Sequence, residues 1–132
     1  MDEQLLESGL KALESNDYNQ AISISMDIQT KFPSASEGYH LEGLTHQSEQ
    51  KWEESVKAFS KAIGESPYDP NLYNFRGFAY LNMGDMGKAE KEFNRALLFA
   101  ENKDDVYYHL GALAQNQEKY DEAIEFYHKA LE

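Results

Sequence analysis

One spacing constrains this chain more than anything else in it: displaced by 34 residues, the sequence falls back onto itself. Four glycines coincide, Gly9, Gly43, Gly77 and Gly111. So do Leu5, Tyr39, Tyr73 and Tyr107, then Tyr18, Trp52, Met86 and Tyr120, then Ala21, Ser55, Ala89 and Ala123. Phe59, Phe93 and Tyr127 make another column, as do Ala62, Ala96 and Ala130, and Pro33 and Pro67 close the first two copies. A fixed period without insertions marks a unit that buries its apolar face against its neighbours rather than folding alone.

Each copy reads as two antiparallel helices. A glycine inside a helix costs about 1 kcal/mol relative to alanine, so four at one period make sense where a partner helix must approach closely. Ala21, Ser55, Ala89 and Ala123 supply small surface from the facing helix, and a large side chain there would overpack the pair by about 1–3 kcal/mol. First helices are expected near 3–15, 37–49, 71–83 and 105–117, and second helices near 18–31, 52–64, 86–99 and 120–131. Ser15-Asn16-Asp17 and Gly84-Asp85 offer caps between them. Asp69-Pro70 places proline at a first helical position, and Ser34 with Glu37 has capping-box spacing. Ile22, Ile24, Met26 and Ile28 alternate with polar residues, a strand pattern in isolation. It is overridden here, because these residues occupy the slot of a second helix. Repeat 1 is the most degenerate, with Ser25 where Phe59, Phe93 and Tyr127 stand later. Repeat 3 has Glu101 where proline is expected, so its second helix is expected to run on.

The columns, most plainly Tyr107-x-x-Leu110-Gly111 followed by Tyr120-Asp121-Glu122-Ala123-Ile124, resemble the tetratricopeptide-repeat family over the whole chain. The resemblance implies an all-α fold, a right-handed α-solenoid of antiparallel helix pairs. It implies a single array over residues 1–132, with repeats 2–35, 36–69, 70–103 and an incomplete 104–132. It further implies a concave groove lined by first helices that binds a protein or peptide. The groove positions fall on Leu6, Leu10, His40, Leu44, Gln47, Asn71, Asn74, Phe78, Asn82, Tyr108, Gln115 and Asn116. Amides there can pair with an extended peptide backbone through both donor and acceptor, and Leu10, Leu44, Phe78 and Tyr108 can receive side chains. The family's carboxylate clamp has no counterpart. Its five places hold Leu6, Leu10, Leu41, Asn71 and Phe75 in one register and His40, Leu44, Phe75, Asp105 and His109 in the next, with no fixed cation in either.

Charge narrows the partner. The chain carries a formal −12, which opposes phosphate backbones and anionic membranes. The segments 2–16, 36–50, 70–84 and 104–118 carry −3, −3, +1 and −3, or −8 of that total. A neutral or basic protein or peptide is therefore the expected partner, with no nucleic acid and no membrane insertion. No apolar run approaches the roughly 20 residues of a membrane span. The acidic N-terminus does not read as a signal peptide, and a cytoplasmic location is expected. There is no cysteine, hence no thiol nucleophile and no Cys-based zinc site. His40, His46, His109 and His128 are scattered. Glu37 and His40 are one turn apart without a second histidine at metal-ligand spacing. No phosphate loop or nucleophile elbow occurs, so no catalytic residue, metal or cofactor is expected.

At the C-terminal edge, Ile124, Tyr127 and Leu131 are expected to be partly uncovered, since a solenoid end needs a polar cap. Either the natural protein continues or this edge meets another copy. The leading expectation is therefore a non-catalytic adaptor or scaffold that binds through its groove. The alternatives are a structural scaffold that self-assembles through the bare edge, and a docking module of a larger enzyme.

Overall fold

A computed structural model describes all of residues 1–132. It contains eight α-helices: α1 (Glu3–Glu14), α2 (Tyr18–Lys31), α3 (Ser36–Ser48), α4 (Trp52–Glu65), α5 (Pro70–Asn82), α6 (Met86–Phe99), α7 (Asp104–Asn116) and α8 (Tyr120–Leu131). The bounds match the sequence expectation to within a residue or two. Residues 22–28 are helical despite their alternation. Ile24 and Ile28 face the core, while Met26 is exposed. The chain divides into two compact units, Met1–Pro67 and Tyr68–Glu132, each holding two repeats.

The helix ends follow from capping chemistry. Asp2, Asp17, Asp69 and Asp85 cap α1, α2, α5 and α6 by accepting backbone N–H bonds. Ser34 does not cap α3: the capping position is Ala35, without a side-chain bond, while the Ser36 hydroxyl donates to Glu37 Oε1 at 3.2 Å. Phe32 and Ser66 end α2 and α4 at φ −133° and −134°, as expected of residues preceding Pro33 and Pro67. The expectation that repeat 3 runs on is corrected. Helix α6 stops at Phe99, with Ala100 extended, and the Asn102 side chain accepts the Asp104 N–H at 3.0 Å to start α7. An asparagine at the next helix's start replaces the proline as the punctuation.

Each turn inside a repeat needs one left-handed residue, and Asn16, Gln50, Gly84 and Glu118 supply it at the same period. Only Gly84 adopts that conformation without a Cβ penalty. The following cap position alternates between Asp17 and Asp85, which cap, and Lys51 and Lys119, which do not. Lys51→Asp is expected to raise stability by about 1 kcal/mol, adding a cap and removing a cation from the positive end of the α4 dipole. Urea denaturation checks it. An unchanged or lower midpoint would show that the cap does not form.

Packing inside each pair explains the glycine column. A Cβ on Gly43 would lie 2.7 Å from the Phe59 ring, one on Gly77 2.7 Å from Phe93, and one on Gly111 2.6 Å from Tyr127. Each ring of a second helix thus seats on a bare stretch of the first helix. Repeat 1 solves the same problem differently. Its ring position is the small Ser25, and the Leu41 side chain from α3 reaches the surface of Gly9 instead. In the first unit, Ile24, Ile28 and Leu41 form a core onto which Leu5, Leu6, Leu13 and Phe32 pack. In the second, the buried set includes Leu72, Leu81, Phe93, Val106, Leu110 and Leu113.

The outermost helices differ in kind. Helix α3 packs on α2 through Gly38, Leu41 and Glu42, with Gln29 donating to Glu42 Oε1 at 2.7 Å, and Thr45 one turn further on is buried. One period earlier, α1 carries Gln4, Glu7, Ser8 and Lys11, all exposed, with Glu7 and Lys11 paired at 3.3 Å. That face of α1 is polar. On α8, Ile124 and Leu131 are 54% and 87% exposed. Tyr127 is half-buried: its ring lies against Gly111, and its hydroxyl donates to Gln115 Oε1 at 2.8 Å.

Candidate binding surfaces on the first helices

In the first unit, α1 and α3 approach one another and leave a small pocket between them. It has a volume of about 150 Å³ and is lined by Leu6, Leu10, Glu37, His40, Leu41 and Leu44. Four of these six were expected groove residues: Leu6, Leu10, His40 and Leu44. Leu41 was not in that set. Leu41 sits beside the expected positions, and its 34-residue counterparts gave no sign that it would form a wall. The His40 ring stands edge-on to Phe59 with centroids 5.9 Å apart. Gln47 is half-buried, with its Oε1 enclosed and lacking a hydrogen-bond partner.

In the second unit, α5 and α7 bring other expected residues together. Tyr108 is 58% exposed; Asn71, Asn82, Gln115 and Asn116 are exposed, and Phe78 is half-buried. Asn74 is a correction, because it is not a surface amide. It is only 6% exposed, and its Oδ1 lies 2.8 Å from His109 Nδ1. A carbonyl oxygen only accepts, so with this amide orientation Nδ1 of His109 carries the proton. Two further amides are engaged internally: Asn82 Nδ2 donates to the Phe78 carbonyl at 2.9 Å, and Gln115 accepts from Tyr127.

His109 is the residue that sequence reasoning passed over. Its ring stacks on Phe93 at 5.5 Å, tilts against Phe78 at 5.1 Å and meets Tyr108 edge-on at 5.8 Å. Burial among these rings pushes its pKa below the usual 6.5, with the Asp105 carboxylate opposing the shift in part. Burial also raises the Tyr127 phenol, with Tyr108 adding to the effect. A depressed histidine pKa means that the unfolded chain takes up the proton first as pH falls below about 6.5. Native stability from this group is therefore complete above that value and is lost on acidification. His109→Gln keeps an amide donor but not the titration, so its stability deficit relative to wild type is expected to shrink between about pH 7.5 and 5. Parallel urea curves at the two pH values check this. A constant deficit would mean that His109 does not titrate in this window.

No group of three or more His, Asp or Glu side chains gathers as metal ligands. No helix is long and apolar enough to cross a membrane.

Helix pairs repeated at 34 residues, with a bare glycine under a ring of the paired helix, define a helical-repeat protein. Residues 70–103 and 104–132 each match a family model described as tetratricopeptide repeat. Residues 70–132 thus carry two tetratricopeptide repeats, and the helix pairs of residues 1–67 follow the same 34-residue register.

Among curated proteins, it is 31% identical over 84 residues to Hsp70-Hsp90 organizing protein 2 of Arabidopsis thaliana, covering 64% of this chain and 15% of that one. It is 28% identical over 115 residues to anaphase-promoting complex subunit 3 of Schizosaccharomyces pombe, covering 86% and 17%. The chain thus spans less than a fifth of the length of either relative. Among solved structures, it is similar to a thermophilic TPR protein of Thermus thermophilus, with a TM-score of 0.89 at 22% identity, covering 96% of this chain and 71% of that one. It is also similar to MamA, with a TM-score of 0.82 at 22% identity, covering 98% and 75%. These likenesses show the tetratricopeptide-repeat solenoid fold.

Proposed function

We propose that this chain is a non-catalytic binding module, an adaptor or scaffold that takes a protein or peptide against its first helices. The observation that carries the reading is that both units leave apolar first-helix side chains open. Four leucines wall a pocket between α1 and α3, and Tyr108 stands exposed on α7. The names of the relatives point the same way, since an organizing protein and a subunit of a multiprotein complex are assembly components. The partner is neutral or basic, because the first-helix segments hold −8 of the −12 charge and complementary potential favours encounter. Nucleic acid is disfavoured by the same charge. A cytoplasmic location belongs to this reading, and a docking module of a larger enzyme is an alternative to it.

Affinity capture from native lysate tests it, with a Leu10→Glu/Tyr108→Ala variant as control. A protein retained by wild type and lost by the folded variant supports the module. If neither bait returns anything but the chain itself, the reading falls.

The exposed Ile124 and Leu131 favour a second reading, self-association through α8. Head-to-tail stacking of α8 on α1 is opposed by the polar Gln4, Glu7, Ser8 and Lys11 face, so such a contact would join two α8 faces. It predicts a sedimentation mass that grows with concentration and reverts to monomer in Leu131→Glu. A monomer at all concentrations removes it.

A further inference from the structure

We infer that the pocket between α1 and α3 receives one apolar side chain of about leucine or methionine size from a partner segment that carries a basic residue beside it. This rests on the reading that first helices bind a partner, and it names the chemistry that one part of that surface selects.

Size and lining set the first half. An apolar pocket of about 150 Å³ has room for one guest of about benzene size, and its leucine walls favour an apolar one. Leu6, Leu10, Leu41 and Leu44 make the walls here, and only Glu37 and His40 contribute polar atoms to the lining. The equivalent place in the second unit is already filled. In the 34-residue register, Leu6 and Leu10 become Asn74 and Phe78, and Leu41 becomes His109. The Phe78 and His109 rings lie 5.1 Å apart, and Asn74 is bonded to His109. Selection of an inserted side chain therefore belongs to the first unit.

Charge sets the second half. Glu37 lines the pocket, and Glu3 and Glu14 are exposed on α1. The only cation on α1 or α3, Lys11, is paired with Glu7 at 3.3 Å. No lysine or arginine lines the pocket, so a lysine or arginine next to the inserted side chain finds a carboxylate at the rim, and an acidic neighbour meets repulsion.

The test is a titration of the full chain with methyl-labelled leucine, followed by NMR. Three blocked heptapeptides serve as probes: Gly-Ser-Lys-Leu-Lys-Ser-Gly, its central Leu→Ala version and its Lys→Glu version. The first is expected to move the Leu6, Leu10 and Leu44 methyl signals. The alanine version should bind at least about tenfold more weakly, since it forfeits most of a buried leucine side chain. The glutamate version should also bind more weakly, with the gap closing in high salt. Leu10→Phe fills the pocket from its solvent-facing wall and should abolish the shifts while leaving the helical circular dichroism intact.

Equal binding of all three peptides, no movement of these methyls, or undiminished binding by Leu10→Phe would overturn the inference. The broader function is judged separately. A lysate partner lost by Leu10→Glu/Tyr108→Ala but still held by Leu10→Phe would keep the binding module and discard this pocket chemistry.

Discussion

Phe93→Ala is expected to destabilise the chain by about 3–5 kcal/mol, the largest effect of any single truncation considered. Phe93 is fully buried, its ring lies against the bare surface of Gly77, and it stacks on His109. Removing it opens a cavity that the rigid helix pair cannot close. The same geometry predicts a change of sign at Gly77. In the wild-type background, an alanine there thrusts a methyl to within 2.7 Å of the ring and should cost about 1–3 kcal/mol through overpacking. In the Phe93→Ala background, that methyl enters the new cavity and the helix gains about 1 kcal/mol of propensity, so Gly77→Ala becomes stabilising. A double-mutant cycle from urea midpoints measures the coupling. Equal effects of Gly77→Ala in both backgrounds would show that ring and glycine do not share one space.

Arg76→Met is expected to cost about 3–5 kcal/mol, because it strands a carboxylate. Arg76 Nε donates to Glu92 Oε2 at 2.7 Å, and the two side chains are 15% and 8% exposed. The Arg76 guanidinium also lies 5.8 Å from the Tyr73 ring. An ion pair this enclosed costs nearly as much desolvation as it returns, so its loss as a pair should matter far less than the loss of one member. Arg76→Met/Glu92→Leu should therefore recover most of the lost stability. Chemical denaturation of wild type and the two variants decides it. A double variant no better than Arg76→Met would mean that the arginine, not the pairing, supplies the stability.

The helices were legible from sequence, because a 34-residue column repeats the same packing problem and its solution. Gly43, Gly77 and Gly111 were expected to admit a close partner, and each lies against a ring of its paired helix. The strand-like alternation at Ile22–Ile28 was correctly overruled by register. What was misread is local or depends on neighbours. Ser34 does not cap α3, and α6 ends without a proline, because the position of a cap depends on a single residue that a period does not specify. Asn74 was expected to offer its amide to a partner, yet it is buried against His109. Those two residues are 35 apart, one period plus one, and the columns compare residues exactly one period apart. The mutual approach of neighbouring columns is invisible to that comparison.

By itself, then, the sequence determined the number of helices, their bounds, their pairing and the small-against-large contacts inside each pair. These depend on side-chain size at a fixed spacing, which can be counted along the chain. Only the tertiary structure decided which positions stay open. Leu6, Leu10 and Leu44 leave room for a guest, while Phe78 and His109 occupy the corresponding space, and Arg76 finds Glu92 away from water. Whether a gap is filled depends on the shapes and polarity of side chains from several helices at once, and such a sum of neighbours exists only after the helices have packed.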